Sequence, residues 1–170
     1  MASIKFIHIP RTGGTSISKS IGIKVIGHWV YKRNFNEFSW CVFRNPIDRF
    51  ISAFNHLKYN QINSRDRNDS ETYIGDKDIH EFIEHGLNRA IKEQQHFLPQ
   101  IHWIPLGVNQ ISLYENIQDD FMRLYNRELM WVNRSDKQEN ELSEREERII
   151  KNYYKLDFFV YNGIKKYAKV

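Results

Sequence analysis

The stretch that most constrains the fold is residues 6–16, FIHIPRTGGTS, where an apolar run stops at a proline and continues into two glycines and two hydroxyl residues. The apolar residues before Pro10 favour a strand, and Gly13 with Gly14 permits a tight turn that can approach an anion closely. A helix beginning at Ser16 would add free amides and the positive end of its dipole. The stretch therefore predicts a strand, a phosphate-holding turn and a helix, in that order.

A second segment, residues 40–56, reads WCVFRNPIDRFISAFNH and predicts another strand followed by a helix. The strand would end at Arg44, and Asn45 with Pro46 suits the first positions of a helix. Apolar residues recur at helical spacing along its buried face, namely Ile47, Phe50, Ile51, Phe54 and Leu57. Arg49, Ser52 and His56 share another face, so Arg44 and Ser52 are expected to point at one anion.

Together these segments resemble the two signatures of sulfotransferases that use 3'-phosphoadenosine 5'-phosphosulfate (PAPS), especially the carbohydrate type similar to heparan sulfate 2-O-sulfotransferases. The resemblance implies that the first segment holds the 5'-phosphosulfate and the second, RxPxxRxxSxY in outline, the 3'-phosphate. The donor-binding residues would then be Arg11, Thr12, Gly13, Gly14, Thr15, Ser16, Arg44 and Ser52.

Weaker similarities extend the resemblance. Gly27-His28 looks like the Gly-His pair that supplies the catalytic base, so the resemblance implies His28 as base, with Arg11 stabilising the departing phosphate. Residues 132–135, VNRS, resemble the loop that closes over the nucleotide and add Arg134 and Ser135 to the donor site. FLPQ at 97–100 is similar to an acceptor-side stretch, and YKLDFFVY at 154–161 to the family's last helix and strand.

The chain departs from the family pattern at two places. Arg11 stands where the family usually has lysine, and residues 52–55, SAFN, stand where it often has SxYY. Arginine keeps its charge and can bind phosphate oxygens through two N–H groups, but it is not a compact proton donor. Donor binding is therefore expected to survive the change better than the reaction rate.

Seven histidines compete for the role of base, and the neutral-range pKa of histidine suits that role. His56 shares a face with Ser52 and is the second candidate, so the choice between His28 and His56 stays open. The acceptor-side candidates are His56, Lys58, His96 and Gln100, with a plain surface position as the alternative for His96. No HExxH spacing occurs, and the single cysteine, Cys41, reads as buried packing, so no metal site is expected.

Residues 60–78 form the one markedly polar stretch and predict a mobile loop. It could be an acceptor-side lid in which Lys58, Arg65 and Arg67 meet substrate, or simply a solvated loop.

Strands alternate with helices along the chain, with further helices predicted at 78–91, 115–125 and 143–154, a second strand at 24–26 and another strand at 110–114. The pattern predicts a single domain over residues 1–170: an α/β, three-layer fold like that of P-loop NTPases, with a central parallel sheet flanked by helices. The glycine turn itself lacks the Walker A spacing.

The composition excludes some classes of binding partner. A net charge of +4 is too modest to argue for nucleic acid, and no apolar run is long enough for a membrane span. One cysteine and no secretory leader favour a reducing compartment, so we expect a cytoplasmic protein of bacterial or viral origin. Oligomeric state is left open.

The sequence thus predicts a metal-independent transferase that moves a sulfuryl group from PAPS to a hydroxyl, on a carbohydrate. Two alternatives stay open. One is a P-loop-type small-molecule or nucleoside kinase with Glu115 or Asp119 as magnesium ligand, and the other is a non-catalytic module that binds nucleotides or polyanions.

Overall fold

The fold is organised by a short parallel sheet, and the computed structural model describes residues 4–22, 38–132 and 140–167. Strands β1 (Ile4–Ile7), β2 (Phe38–Phe43) and β3 (Gln110–Leu113) pair in parallel, in the order β1-β2-β3. Phe6 lies opposite Trp40, and Trp40 lies opposite Gln110. Because the strands are parallel, the turns that follow all three meet at one edge of the sheet, where open α/β sheets bind ligands.

Helices flank this sheet. Within the described residues they are α1 (Gly14–Ile21), α2 (Pro46–Tyr59), α3 (Ser64–Asp69), α4 (Ile79–His85), α5 (Leu87–Glu93), α6 (Ile117–Tyr125), α7 (Glu144–Tyr153) and α8 (Lys155–Tyr167). The predicted α/β class, with a parallel sheet flanked by helices, is confirmed. The closer likeness to P-loop NTPases stays a prediction.

Three predicted helix starts are confirmed by their caps. The Asn45 side chain accepts a hydrogen bond from the Ile47 N–H at 2.9 Å, with Pro46 in the first turn of α2. Asp78 and Ser143 each form a reciprocal capping box with the glutamate three residues later. These caps satisfy amides that a helix start otherwise leaves without partners, so local sequence alone fixes where α2, α4 and α7 begin.

Other boundaries differ from the prediction. The helix expected at 78–91 is broken at Gly86 into α4 and α5, and the one expected at 115–125 begins as a 3-10 turn, Tyr114–Asn116, before α6. The closing segment is one continuous helix, α8, where the resemblance implied a helix and a strand. The predicted second strand at residues 24–26 lies outside the described residues.

The loop predicted at residues 60–78 is wrong for residues 64–74, which are helical. Asn63 caps α3 by accepting from the Asp66 N–H at 2.9 Å, and a π-helical turn, Ser70–Ile74, follows. The Lys58 ammonium group donates to the Gly75 carbonyl at 2.7 Å, which ties the end of this segment to α2. Asp66 and Ile74 are buried, so tertiary contacts outweigh the polar composition that indicated a loop.

The core has one apolar cluster on each side of β2 and a third around α2. Trp40 and Val42 pack with Ile17 and Phe121 in one cluster. The alternate β2 residues, Cys41 and Phe43, pack with Ile7, Leu113 and Tyr161 in another, so the predicted burial of Cys41 is confirmed. The third contains Phe50, Phe54, Phe82 and Phe97 from α2, α4 and the segment after α5. Among the described residues, no helix is long and apolar enough to cross a membrane.

Gly14 gives a direct test of how β1 and α1 pack. A Cβ at this position would lie 1.8 Å from Cδ2 of the His8 ring, so Gly14→Ala forces the ring to move. We expect the variant to lose about 1–3 kcal/mol of unfolding free energy in urea melts.

The matched control is Gly163→Ala in α8, where a Cβ would meet nothing within 4 Å. There the better helix propensity of alanine should raise stability by up to about 1 kcal/mol. Equal effects at the two positions would contradict the packing described for Gly14.

Candidate functional site

The turn between β1 and α1 is shaped by two left-handed residues. Arg11 has φ 67° and Gly13 has φ 83°, and Gly13 is the N-cap of α1 without a side-chain cap. A Cβ on Gly13 would lie about 3.0 Å from the Ile117 side chain and 3.1 Å from the Tyr114 ring. Thr12 is fully buried, and its hydroxyl donates to the Ile9 carbonyl at 2.9 Å. The turn is therefore fixed by its own backbone and side-chain contacts. The first amides of α1 have no side-chain cap, and the first turn of α1 contains no acidic residue, so this helix start is suited to an anion.

Arg44 lies directly after β2, and a buried glutamine fixes its backbone. The Arg44 N–H donates to Gln100 Oε1 at 2.9 Å, and Gln100 Nε2 donates to the Arg44 carbonyl at 2.8 Å. Gln100 is in turn held by Asp157, which accepts from its N–H at 2.7 Å. The Arg44 guanidinium carbon lies 4.6 Å from the centre of the Tyr114 ring, and Nη1 donates to the Arg11 carbonyl at 3.4 Å.

Two residues of α2 hold the glycine turn from the other side. Arg49 Nε donates to the Pro10 carbonyl at 2.9 Å, and Arg11 Nε donates to Ser52 Oγ at 3.3 Å. Arg49 is 1% exposed, and its Nη2 has no hydrogen-bond partner within the described residues. The predicted common face of Arg49 and Ser52 is thus directed at the turn.

Three guanidinium groups, those of Arg11, Arg44 and Arg49, therefore share one corner of the molecule. Burial, and then the charge of Arg44, lowers the pKa of Arg11 to about 10, with a smaller contribution from Arg49; Asp66 and Tyr114 act in the opposite direction. Burial also lowers the pKa of Arg49, against the opposing effect of Tyr154 and Asp157. At neutral pH Arg11 stays charged, so this corner concentrates positive charge that a bound anion would offset.

The comparison with known families agrees with this geometry. The model of the sulfotransferase family matches residues 24–127, more than half of the 170-residue chain. The chain belongs to the sulfotransferase family. The matched region contains Arg44 and Ser52 and begins after the glycine turn, and searches of curated proteins and of solved structures find no match. Family membership supports the transfer of sulfuryl groups as the general activity of the protein.

Ser16 has a structural role in this sulfotransferase. It is 2% exposed, its hydroxyl donates to the Val132 carbonyl at 3.2 Å, and it accepts from the Val132 N–H at 3.0 Å. The predicted contact with the donor at Ser16 would therefore have to come from its backbone amide. Of the other predicted site residues, His28, Arg134 and Ser135 lie outside the described residues.

The residues predicted to contact the acceptor differ in their burial and in their hydrogen-bond partners. Gln100 is fully buried and is used to hold Arg44, and Lys58 is used to hold Gly75. His96 is 4% exposed, so the surface position weighed for it is wrong. It packs against His56, with ring centres 5.2 Å apart.

His56, Asp66 and His96 form a buried cluster beside the arginines of the sulfotransferase. The His56 Nε2 and Asp66 Oδ2 atoms are 3.3 Å apart, and one potential ligand atom from each of the three residues lies within 4.8 Å of the others. Gln94 Oε1 accepts from the His96 backbone N–H at 2.6 Å, which orients the amide so that Gln94 Nε2 donates to His96 Nδ1 at 3.1 Å. The His96 proton then lies on Nε2, and the cluster is a hydrogen-bonded network rather than three lone pairs aimed at one ion.

Sequence reasoning missed two residues of this corner. Tyr114 directly follows β3, so the rule that strand ends meet at one edge could have found it. Asp66 carries no such signal, because it reaches the site only through the fold of a segment that reads as a loop.

Burial and the charge of Arg11 lower the pKa of His56 to about 4, against the opposing effect of Asp66. The unfolded chain, with a histidine pKa of about 6.5, therefore takes up this proton first as the pH falls. We expect stability to fall from about pH 6.5 to about pH 4, and His56→Gln to remove part of that loss. Urea melts across this range test it.

The control for this prediction is His85→Gln at an exposed histidine in the last turn of α4. It should leave the pH dependence of stability as in the parent protein. If His56→Gln also leaves it unchanged, His56 titrates normally in the fold.

Proposed function

We propose that this sulfotransferase takes its sulfuryl group from PAPS and transfers it to a hydroxyl group of a carbohydrate. The observation that carries the proposal is the gathering of Arg11, Arg44 and Arg49 beside the uncapped start of α1. PAPS presents a phosphosulfate on its 5' side and a phosphate on its 3' side. A corner with two sources of positive charge, the glycine turn and the end of β2, suits such a ligand.

In this proposal Arg11 and the amides of residues 13–16 bind the 5' group, while Arg44 and Ser52 bind the 3'-phosphate. Ser52 Oγ accepts from Arg11 Nε at 3.3 Å, which leaves its own O–H to donate to a phosphate oxygen. Thr12, fully buried, shapes the turn. Arg134 and Ser135 remain proposed nucleotide contacts through the resemblance of residues 132–135.

The reaction would be an in-line displacement. The acceptor oxygen attacks sulfur, the bond from sulfur to the bridging oxygen breaks, and 3',5'-adenosine bisphosphate (PAP) leaves with the electron pair. Arg11 and the turn amides would stabilise the charge that grows on the departing phosphate. The acceptor proton would pass to His28, a step for which a neutral imidazole is suited. These fixed charges act where phosphoryl-transfer enzymes use magnesium.

Support for a carbohydrate acceptor comes from the likeness of the two signature segments to the carbohydrate type of the family. The net charge of +4 is compatible with an acidic glycan as well as with the anionic donor.

The surroundings of Glu115 and Asp119 give little support to the kinase alternative, in which these residues would bind magnesium. Glu115 accepts a hydrogen bond from the Tyr161 hydroxyl at 2.5 Å. Asp119 lines a cleft of about 450 Å³ with Gln110 and Arg123, and none of the three clustered arginines lines it.

Arg44→Ala is the first test. It removes a charged group from the proposed 3'-phosphate site, so affinity for PAP should fall by at least about 30-fold, the equivalent of losing about 2 kcal/mol from a charge-assisted contact. Titration calorimetry without magnesium measures it.

The matched control is Arg89→Ala, at an exposed arginine of α5 that pairs with Glu93. It should bind PAP as the parent protein does. Unchanged PAP affinity in Arg44→Ala would contradict the assignment, and thermal stabilisation by ATP that requires magnesium, without stabilisation by PAP, would favour the kinase.

His28→Ala tests the proposed base. It should leave PAP affinity unchanged and reduce sulfuryl transfer by about 10²-fold or more, because only proton removal is lost. Transfer of labelled sulfate from PAPS to a panel of glycans and small alcohols measures this.

Full transfer by His28→Ala would exclude His28 as the base. PAP binding by the parent protein with no transfer to any member of the panel would favour the non-catalytic module.

A further inference from the structure

Asp66 of α3 is a buried carboxylate that contacts His56, one turn along α2 from Ser52. Its Oδ2 atom accepts from Asn63 Nδ2 at 3.0 Å and from the Ile62 N–H at 3.3 Å, and it lies 3.3 Å from His56 Nε2. Three donor groups thus surround one oxygen of Asp66. Because Asp66 is an acceptor, the proton of neutral His56 lies on Nε2.

Arg11 carries its positive charge next to two other positively charged groups. Its backbone is left-handed, and its guanidinium group lies near those of Arg44 and Arg49, which repel it. No ion pair joins the described side chains of Arg11 and Asp66, but the charge of Asp66 opposes part of the lowering of the Arg11 pKa by burial and by Arg44. Ser52 and His56 are one turn apart on α2, so α2 meets Arg11 through Ser52 and meets Asp66 through His56.

We propose that Asp66 and His56 are positioning residues for Arg11: Asp66 contacts His56 and so fixes the turn of α2 that holds Ser52 against the guanidinium, and His56 accepts a proton when the donor's anion offsets the charge of Arg11. This inference rests on the proposed use of PAPS. It gives α3, in the segment that reads as a loop, a part in organising the donor site.

The groups that face His56 from the elements packed on it are Asp66 of α3, Arg11 of the glycine turn and His96 after α5. Burial lowers the pKa of His56 and the charge of Arg11 lowers it further, so an anion on Arg11 would remove the second part of this shift and raise the pKa. A group whose pKa rises on binding takes up protons, and the ligand then binds more tightly as the pH falls. The effect belongs below about pH 6.5, the ordinary value for histidine.

The first experiment compares PAP affinity in Asp66→Asn and in Asp76→Asn, an exposed carboxylate of the same segment. Removing a negative charge near a cationic site would by itself tighten PAP binding. Loss of the positioning role would instead weaken PAP binding. We therefore expect Asp66→Asn to bind PAP about 10-fold more weakly, which is a typical coupling between a ligand and a residue that does not contact it. Asp76→Asn should bind as the parent protein does.

The second experiment measures proton uptake on PAP binding, by calorimetry at about pH 5.5 in buffers of different ionisation enthalpy. The parent protein and His85→Gln should take up more protons than His56→Gln, in which the glutamine amide can still donate to Asp66. PAP also titrates in this range, but its contribution is common to all variants and cancels in the comparison. This measurement leaves Asp66 intact, so it does not depend on the folding of Asp66→Asn.

The outcomes separate the two proposals. If the parent protein does not bind PAP, the proposed function fails and this inference falls with it. If it binds PAP but Asp66→Asn binds as tightly or more tightly, or His56→Gln shows the same proton uptake as the parent, the positioning role alone is overturned.

Discussion

A buried guanidinium joins the glycine turn to the rest of the molecule. Arg49 lies inside α2, and its Nε donates to the Pro10 carbonyl at the end of the first signature segment. This bond places the start of α1 beside Arg44 and Ser52, which belong to the second segment. A charged donor is costly to bury, so this contact is maintained only where α2 and the turn pack closely enough to supply the Pro10 carbonyl as an acceptor.

The same packing explains why positive charge can accumulate here. Burial lowers the pKa of Arg49, and Tyr154 and Asp157 oppose this effect. Asp157, from α8, also accepts hydrogen bonds from the backbone N–H groups of Gln100 and Ile101. Gln100 then fixes both backbone groups of Arg44. One buried carboxylate thus supports two of the three arginines, while Asp66 acts on the third. The charges of these two buried acids oppose part of the effect of burial on the pKa values of Arg11 and Arg49.

Much of this site could be predicted from the chain. The glycine turn, the strand that ends at Arg44 and the capped start of α2 are all local features, and the parallel sheet brings the two segments to one edge. Membership of the sulfotransferase family is consistent with that prediction. The burial of three polar residues could not be predicted: Asp66, His96 and Gln100 are buried by contacts far away in sequence, and polarity alone indicates a surface position.

The sequence by itself determined the three strands of the sheet and the capped starts of α2, α4 and α7, because caps, glycines and apolar spacing act within a few residues of one another. It also determined which residue types could hold phosphate and the spacing between Arg44 and Ser52. Only the tertiary structure decided that residues 64–74 are helical, that Gln100 serves Arg44, and that His56 meets Asp66 rather than solvent. Those outcomes depend on burial, and burial is a property of the assembled chain rather than of any segment.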